Sequence, residues 1–193
     1  MKQLLALKWR LLPLVAAAVI LAAPFALSYL NKHQALSEAG VADEKLQNEE
    51  VVSKIEGTPN RVLIPSLAID LPVVSQSYSP ITKTWPVASG LANHATESAL
   101  VNNFKGEALI YGHNSRKVFG PILKMKPGEV VYVYTDNGHI FKYEYISSRD
   151  VTPAKTEIIS EMAKASAGLK LITCDGPNFE YRHLMSFSLL QAT

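Results

Sequence analysis

A single cysteine, Cys174, stands in a chain of 193 residues, so no intrachain disulfide can form. Lysine and arginine number 19 against 17 aspartate and glutamate, a formal charge of +2. No excess of one sign is large enough to draw in nucleic acid or another polyanion. No internal repeat breaks the chain into copies, which excludes a solenoid or propeller. Charge is also missing from one long stretch, and that absence is the most informative.

Leu11–Leu30 carries no charged residue, and Lys2, Lys8 and Arg10 precede it. A helix of that length is about 30 Å long, the thickness of a bilayer's hydrocarbon core. The basic flank keeps the N-terminus in the cytoplasm. Pro13 lies near the start of the run, where a helix tolerates it, and Pro24 kinks the second half. Small residues around Ala22–Ser28 would also serve as a signal-peptide cleavage site, but the run is longer than a usual signal core. Residues 1–30 are therefore read as an uncleaved single-pass anchor in the cell membrane. Either reading exports the remainder, and in an exported protein an unpaired thiol is exposed to oxidation unless it has a use.

Residues 31–59 are polar, with Glu38, Asp43, Glu44, Glu49 and Glu50, and read as a stalk. Residues 60–193 form the folded domain, long enough for one well-buried core. Within it the β-rich segments are Arg61–Pro65, Ile69–Val74, Ala108–Tyr111, Val130–Thr135, Ile140–Ile146, Leu169–Thr173 and His183–Leu190. Pro65 and Pro72 confine the first two to strand ends or edges. Asp136-Asn137-Gly138, between two such runs, is a hairpin signal, because a tight turn needs residues that accept positive φ. One helix is expected, with Thr156 as N-cap, Ile158, Ile159, Met162 and Ala163 on one face, and Gly168 as the stop. Short strands with one or two short helices give an all-β barrel.

Cys174 ends a β-rich run and precedes Asp175-Gly176-Pro177-Asn178, a strong turn sequence. The thiol thus faces a loop at a strand's end, although a lone cysteine is more often a small buried hydrophobe. As a nucleophile it needs help, since only about 3% of an unperturbed thiol is thiolate at pH 7. A histidine can pair with the thiolate and later protonate a leaving amine. Of the five histidines, His33 falls in the stalk and His94 in a polar segment, both read as solvated. His139 follows the hairpin turn, and His183 shares an alternating face with Met185, Phe187 and Leu189, as a core histidine would. His113 differs, because it follows a buried strand and Gly112, whose lack of a side chain lets another group approach. The third need is a cation or dipole for an oxyanion. Arg182 begins the strand after Cys174, while Arg116 and Arg149 are not tied locally to the cysteine.

Tyr111-Gly-His-Asn114, Phe119, the Leu123–Glu129 turn, the Tyr132–Tyr145 hairpin, Leu171-Ile-Thr-Cys174 and Arg182 together resemble the sortase family in order and spacing. The resemblance spans about residues 60–193 and is vague between Ser75 and Lys105. It implies a closed eight-stranded β-barrel preceded by the transmembrane helix. It also implies a cysteine transpeptidase that cleaves a C-terminal sorting signal of the Leu-Pro-X-Thr-Gly type through a thioacyl intermediate. His113, Cys174 and Arg182 become the catalytic set and Thr173 a substrate-binding residue. The implied partners are surface proteins bearing such signals and a cell-wall precursor or pilin amine as acceptor, with no cofactor. Lys170 stands where the family usually has threonine. Some members hold calcium with acidic residues before the histidine, but Ser98–Gly106 has no carboxylate, so no metal is expected. No second hydrophobic segment follows and no aspartate-aromatic lid precedes, against a pilin-polymerising subtype.

Papain-like peptidases place cysteine before histidine, the reverse of the order here. An L,D-transpeptidase has its cysteine in a Ser-X-Gly-Cys-type turn, absent from this chain. A catalytically silent tethered β-domain that binds a surface partner is the alternative from another class.

Overall fold

The structure is a computed structural model that describes residues 53–153 and 157–193. The expected anchor, residues 31–52 of the expected stalk and the expected cap Thr156 lie outside the described residues. Among the described residues no helix is long and apolar enough to cross a membrane.

The strands are β1 (Glu56–Gly57), β2 (Pro59–Ile64), β3 (Ile69–Gln76), β4 (Ala92–Ala95), β5 (Val101–Asn102), β6 (Glu107–Tyr111), β7 (Val130–Thr135), β8 (Ile140–Val151), β9 (Gly168–Asp175) and β10 (Tyr181–Ala192). Eight of them close into a barrel in the order β10-β8-β7-β2-β3-β4-β6-β9. The short β1, ahead of Asn60, pairs with β5 apart from the barrel. The expected all-β closed barrel is therefore present, with one described α-helix, α1 (Ile158–Lys164), and 3₁₀ turns at Pro65–Leu67 and Gly120–Lys124.

Strand alternation builds the core. In β7, Val131, Val133 and Thr135 are buried while Tyr132 and Tyr134 face outward, where Lys142 and Arg61 lie over their rings. Inside the barrel Val62, Ile64, Ile110, Phe141, Tyr143, Leu169, Leu171 and Met185 form one cluster. At roughly 1.5–3 kcal/mol per buried large apolar side chain, this cluster dominates the favourable side of folding. A smaller cluster lies on the outer face, where α1 sets Ile158 and Met162 against Leu109 and Leu184.

Most pairs are antiparallel, but β3–β4 and β6–β9 are parallel. The Asp136–Gly138 hairpin forms as expected, with Gly138 at φ 89°. Pro72 lies within β3, yet pairing with β4 begins only at Val73, so the missing N–H interrupts no ladder on that side.

Three expectations are corrected. α1 stops at Ala165, which is extended, and Gly168 instead starts β9. His94 is not solvated: it sits in β4, 1% exposed, with Nε2 at 3.2 Å from the Ala99 carbonyl. Burial lowers the pKa of that imidazole. His183 lies on the expected face, but at the barrel rim rather than in the apolar core, with Nδ1 2.9 Å from Asp150 Oδ1.

Candidate active site

Residues alternate along β9, so Leu169, Leu171 and Thr173 point inward and are buried. Lys170, Ile172 and Cys174 face outward, and Cys174 is half-buried near the strand's end. Lys170 bonds Glu107 at 3.0 Å and Ser186 Oγ at 2.8 Å, so the lysine read as the departure from the resembled pattern is held by an ion pair.

The register opposes Cys174 to Arg182 on β10. Directly opposed side chains share a face, with Cβ atoms about 4.5–5.5 Å apart, so the two groups sit side by side on the outer face. Arg182 Nη1 donates to the carbonyls of Phe179 (2.9 Å) and Tyr181 (3.0 Å), which fastens the β9–β10 loop. Among the described residues its Nε and Nη2 take no partner. Phe179 in that loop has φ 57°, a left-handed conformation that the arginine helps to hold.

His113 arrives from β6. Because β6 and β9 run parallel with Tyr111 opposite Ile172, both strands end at the same rim. Two hydrogen bonds stitch the turn before His113 to β9: Gly112 N to Ile172 O at 3.1 Å and Thr173 Oγ1 to Gly112 O at 3.0 Å. Thr173 therefore lies beside the expected nucleophile with its hydroxyl already engaged by backbone. Gly112 matters by close approach, as a Cβ there would lie 2.8 Å from Val118 Cγ1. His113 itself is exposed.

Cys174, His113, Arg182 and Thr173 all line one cavity of about 600 Å³. Its floor is the apolar outer face of β6 and β9 (Leu109, Tyr111, Ile172), and α1 adds Ile158 and Ile159. This arrangement can hold an extended peptide against an apolar surface with a thiol, an imidazole and a guanidinium at its end. Arg116 is exposed and Arg149 bonds Glu161 at 3.3 Å; neither lines the cavity.

Sequence reasoning passed over Trp85, which also lines the cavity and comes from the loop between β3 and β4. Its indole Nε1 donates to Glu97 Oε2 at 2.7 Å. A tryptophan-proline pair in an otherwise polar loop was the available signal. Among the described residues, Asp150, Asp175 and His183 are one group whose possible ligand atoms lie within 4.8 Å of one another. They occupy the face of Thr173, not that of Cys174.

The sortase domain family model matches residues 62–186. Sortase A of Bacillus anthracis is 30% identical over 139 residues, covering 70% of this chain and 58% of that protein's length. Sortase A of Listeria monocytogenes is 22% identical over 208 aligned positions, 93% of this chain and 89% of that protein. The solved structure of a Listeria monocytogenes sortase A superposes with a TM-score of 0.57 at 22% identity, covering 71% of this chain and 90% of that one.

Proposed function

The chain belongs to the sortase family, whose members are cell-wall transpeptidases, and from that premise we propose that it is a membrane-anchored cysteine transpeptidase acting on C-terminal sorting signals of the Leu-Pro-X-Thr-Gly type. The observation that carries the reading is the cross-strand placement of Cys174 beside Arg182, with His113 on the rim of the same cavity.

In the proposed cycle the Cys174 thiolate attacks the carbonyl carbon of the threonine-like residue, forming a C–S bond as the carbonyl electrons move to oxygen. Arg182 donates N–H groups to that oxyanion or to neighbouring peptide carbonyls. Collapse breaks the C–N bond, and His113 protonates the departing amine. A primary amine from a cell-wall precursor or a pilin lysine then attacks the thioester and gives a proton to His113. A new amide forms and the thiolate returns. Fixed strand ends suit this chemistry, because the groups must hold their geometry to about 0.5 Å.

The test is mass spectrometry of the full chain incubated with a library of sorting-signal peptides. An acyl adduct on Cys174 that disappears when a primary amine is added supports the reading; no adduct with any peptide refutes it. The orientation, N-terminus inside and barrel outside, rests on Lys2, Lys8 and Arg10 before Leu11–Leu30. Protease added to spheroplasts should remove the barrel, and a protected barrel would overturn the orientation.

A further inference from the structure

Residues 77–91 connect two parallel strands, β3 and β4, without regular structure of their own. Connections of this length in a compact domain are usually functional or disordered. This one is fastened at several points. Glu97, just past β4, accepts the Tyr78 amide on Oε1 and the Trp85 indole N–H on Oε2, each at 2.7 Å. Ser79 and Thr84 form a bridge between those two points, and the Tyr78 and Trp85 rings lie 4.7 Å apart. Next along, the Tyr111 hydroxyl donates to Pro86 O at 2.7 Å, and Asn93 Oδ1 accepts the Ala88 amide at 2.9 Å.

These fastenings run to β4, to β6 and to the turn after β4, and β6 is the strand that leads to His113. They hold a half-buried indole at the cavity and leave Val87 39% exposed beside it. A loop needed only as a connection gains nothing from a tryptophan fixed this way, whereas a peptide groove gains a rigid apolar wall. Desolvation pushes the Glu97 pKa up, but hydrogen bonds led by the Trp85 indole and the Tyr78 amide outweigh it and leave the pKa lowered. The fastening is thus charge-assisted and persists at neutral pH.

We infer that Trp85 is a specificity-determining residue that recognises the large apolar side chain of the donor peptide, and that Glu97 is the positioning residue that holds it there. The inference rests on the transpeptidase reading. In a Leu-Pro-X-Thr-Gly pattern the leucine is the one large aliphatic side chain specified, so it is the group assigned to this wall. Glu97 meets two N–H donors, and an amide could accept from only one of them on its oxygen. Glu97→Gln should therefore be intermediate and Glu97→Ala complete.

The experiment compares, on the full chain, steady-state kinetics with two peptides that differ only in leucine or alanine at the first position of the pattern. Trp85→Ala should reduce the preference for leucine by about tenfold, with the loss falling on KM more than on kcat. Trp85→Phe keeps a ring but no N–H and should lie between. Glu97→Ala should lose the same preference, and the Trp85→Ala/Glu97→Ala double variant should lose no more than either alone, as expected for residues acting as one unit. Circular dichroism confirms that each variant folds. An unchanged leucine preference in folded Trp85→Ala overturns the assignment of the wall. Additive losses in the double variant overturn the positioning role. Failure of the unsubstituted chain to turn over either peptide refutes the transpeptidase reading instead. Calorimetric binding of the two peptides then tests the wall by itself, and equal affinity for leucine and alanine peptides would overturn it.

Discussion

Replacing Thr173 by valine separates two things the hydroxyl does, because the shape is kept and only the donor is lost. The residue is 1% exposed, and its Oγ1 donates to Gly112 O at 3.0 Å. Losing the donor leaves a buried carbonyl unpaired, which costs about 1–3 kcal/mol. For a domain of this size that lowers Tm by roughly 3–10 °C. Thr173→Ser keeps the donor but removes a buried methyl group, which costs about 1 kcal/mol. The two variants should thus lose comparable stability by urea unfolding. Their chemistry should diverge, since only valine releases the turn that carries His113. A misplacement of about 1 Å can cost about 100-fold in rate, so single-turnover acylation should fall tenfold or more in Thr173→Val and stay within threefold in Thr173→Ser. Acylation by the valine variant at the unsubstituted rate would refute the argument, as would equal slowing in both.

Arg182→Ala should slow peptide transfer about 10²- to 10³-fold, as for other oxyanion donors, and Arg182→Lys should recover only part, since an ammonium cannot reproduce the guanidinium fork. Alkylation of Cys174 by a small reagent needs no oxyanion donor and should persist in Arg182→Ala; near-normal transfer by that variant would sink the assignment. Burial lowers the folded-state pKa of His94 below its ordinary 6.5, so the unfolded chain binds the proton more readily. Its contribution is complete above about pH 6.5 and is lost as pH falls through the lower folded value, so the urea midpoint should drop on acidification and the slope should flatten in His94→Gln. Chelating calcium should leave the transfer rate unchanged, because Glu97, Glu107 and Glu161 are already engaged by Trp85, Lys170 and Arg149; a large loss would redirect attention to Asp150, Asp175 and His183.

Much of this architecture is legible in the residues because the physics is local. The β7–β8 hairpin follows from two alternating runs around a turn that needs positive φ, and seven of the barrel's strands announce themselves by β-branched and aromatic content. β4 does not. Its four residues, Ala92–Ala95, are all buried and include Asn93 and His94, so neither alternation nor β-propensity marks them. The Asn93 side chain donates to a distant carbonyl, Tyr111 O, which a linear reading cannot anticipate, and His94 Nδ1 is buried without a partner among the described residues. The same limit hid Trp85, whose role depends on a carboxylate across a loop. Cys174, His113 and Arg182 could be singled out together because each sits at a strand end beside turn-forming residues, and the structure places all three on one cavity.

The parallel pairing of β6 with β9 has a consequence in time. Thr173 and Gly112 are separated by 61 residues, and parallel strands cannot zip up from a tight turn between them. The hairpins of β7–β8 and β9–β10 can form early from local contacts, whereas β6 must wait for the intervening chain to be ordered. Cys174 thus meets Arg182 before it meets His113. Under the proposed function, a chain still emerging would carry an unassisted thiol, and the proposed proton donor His113 would arrive only with barrel closure. The appearance of activity during refolding would then serve as a clock for the last long-range contact, lagging the recovery of hairpin signal.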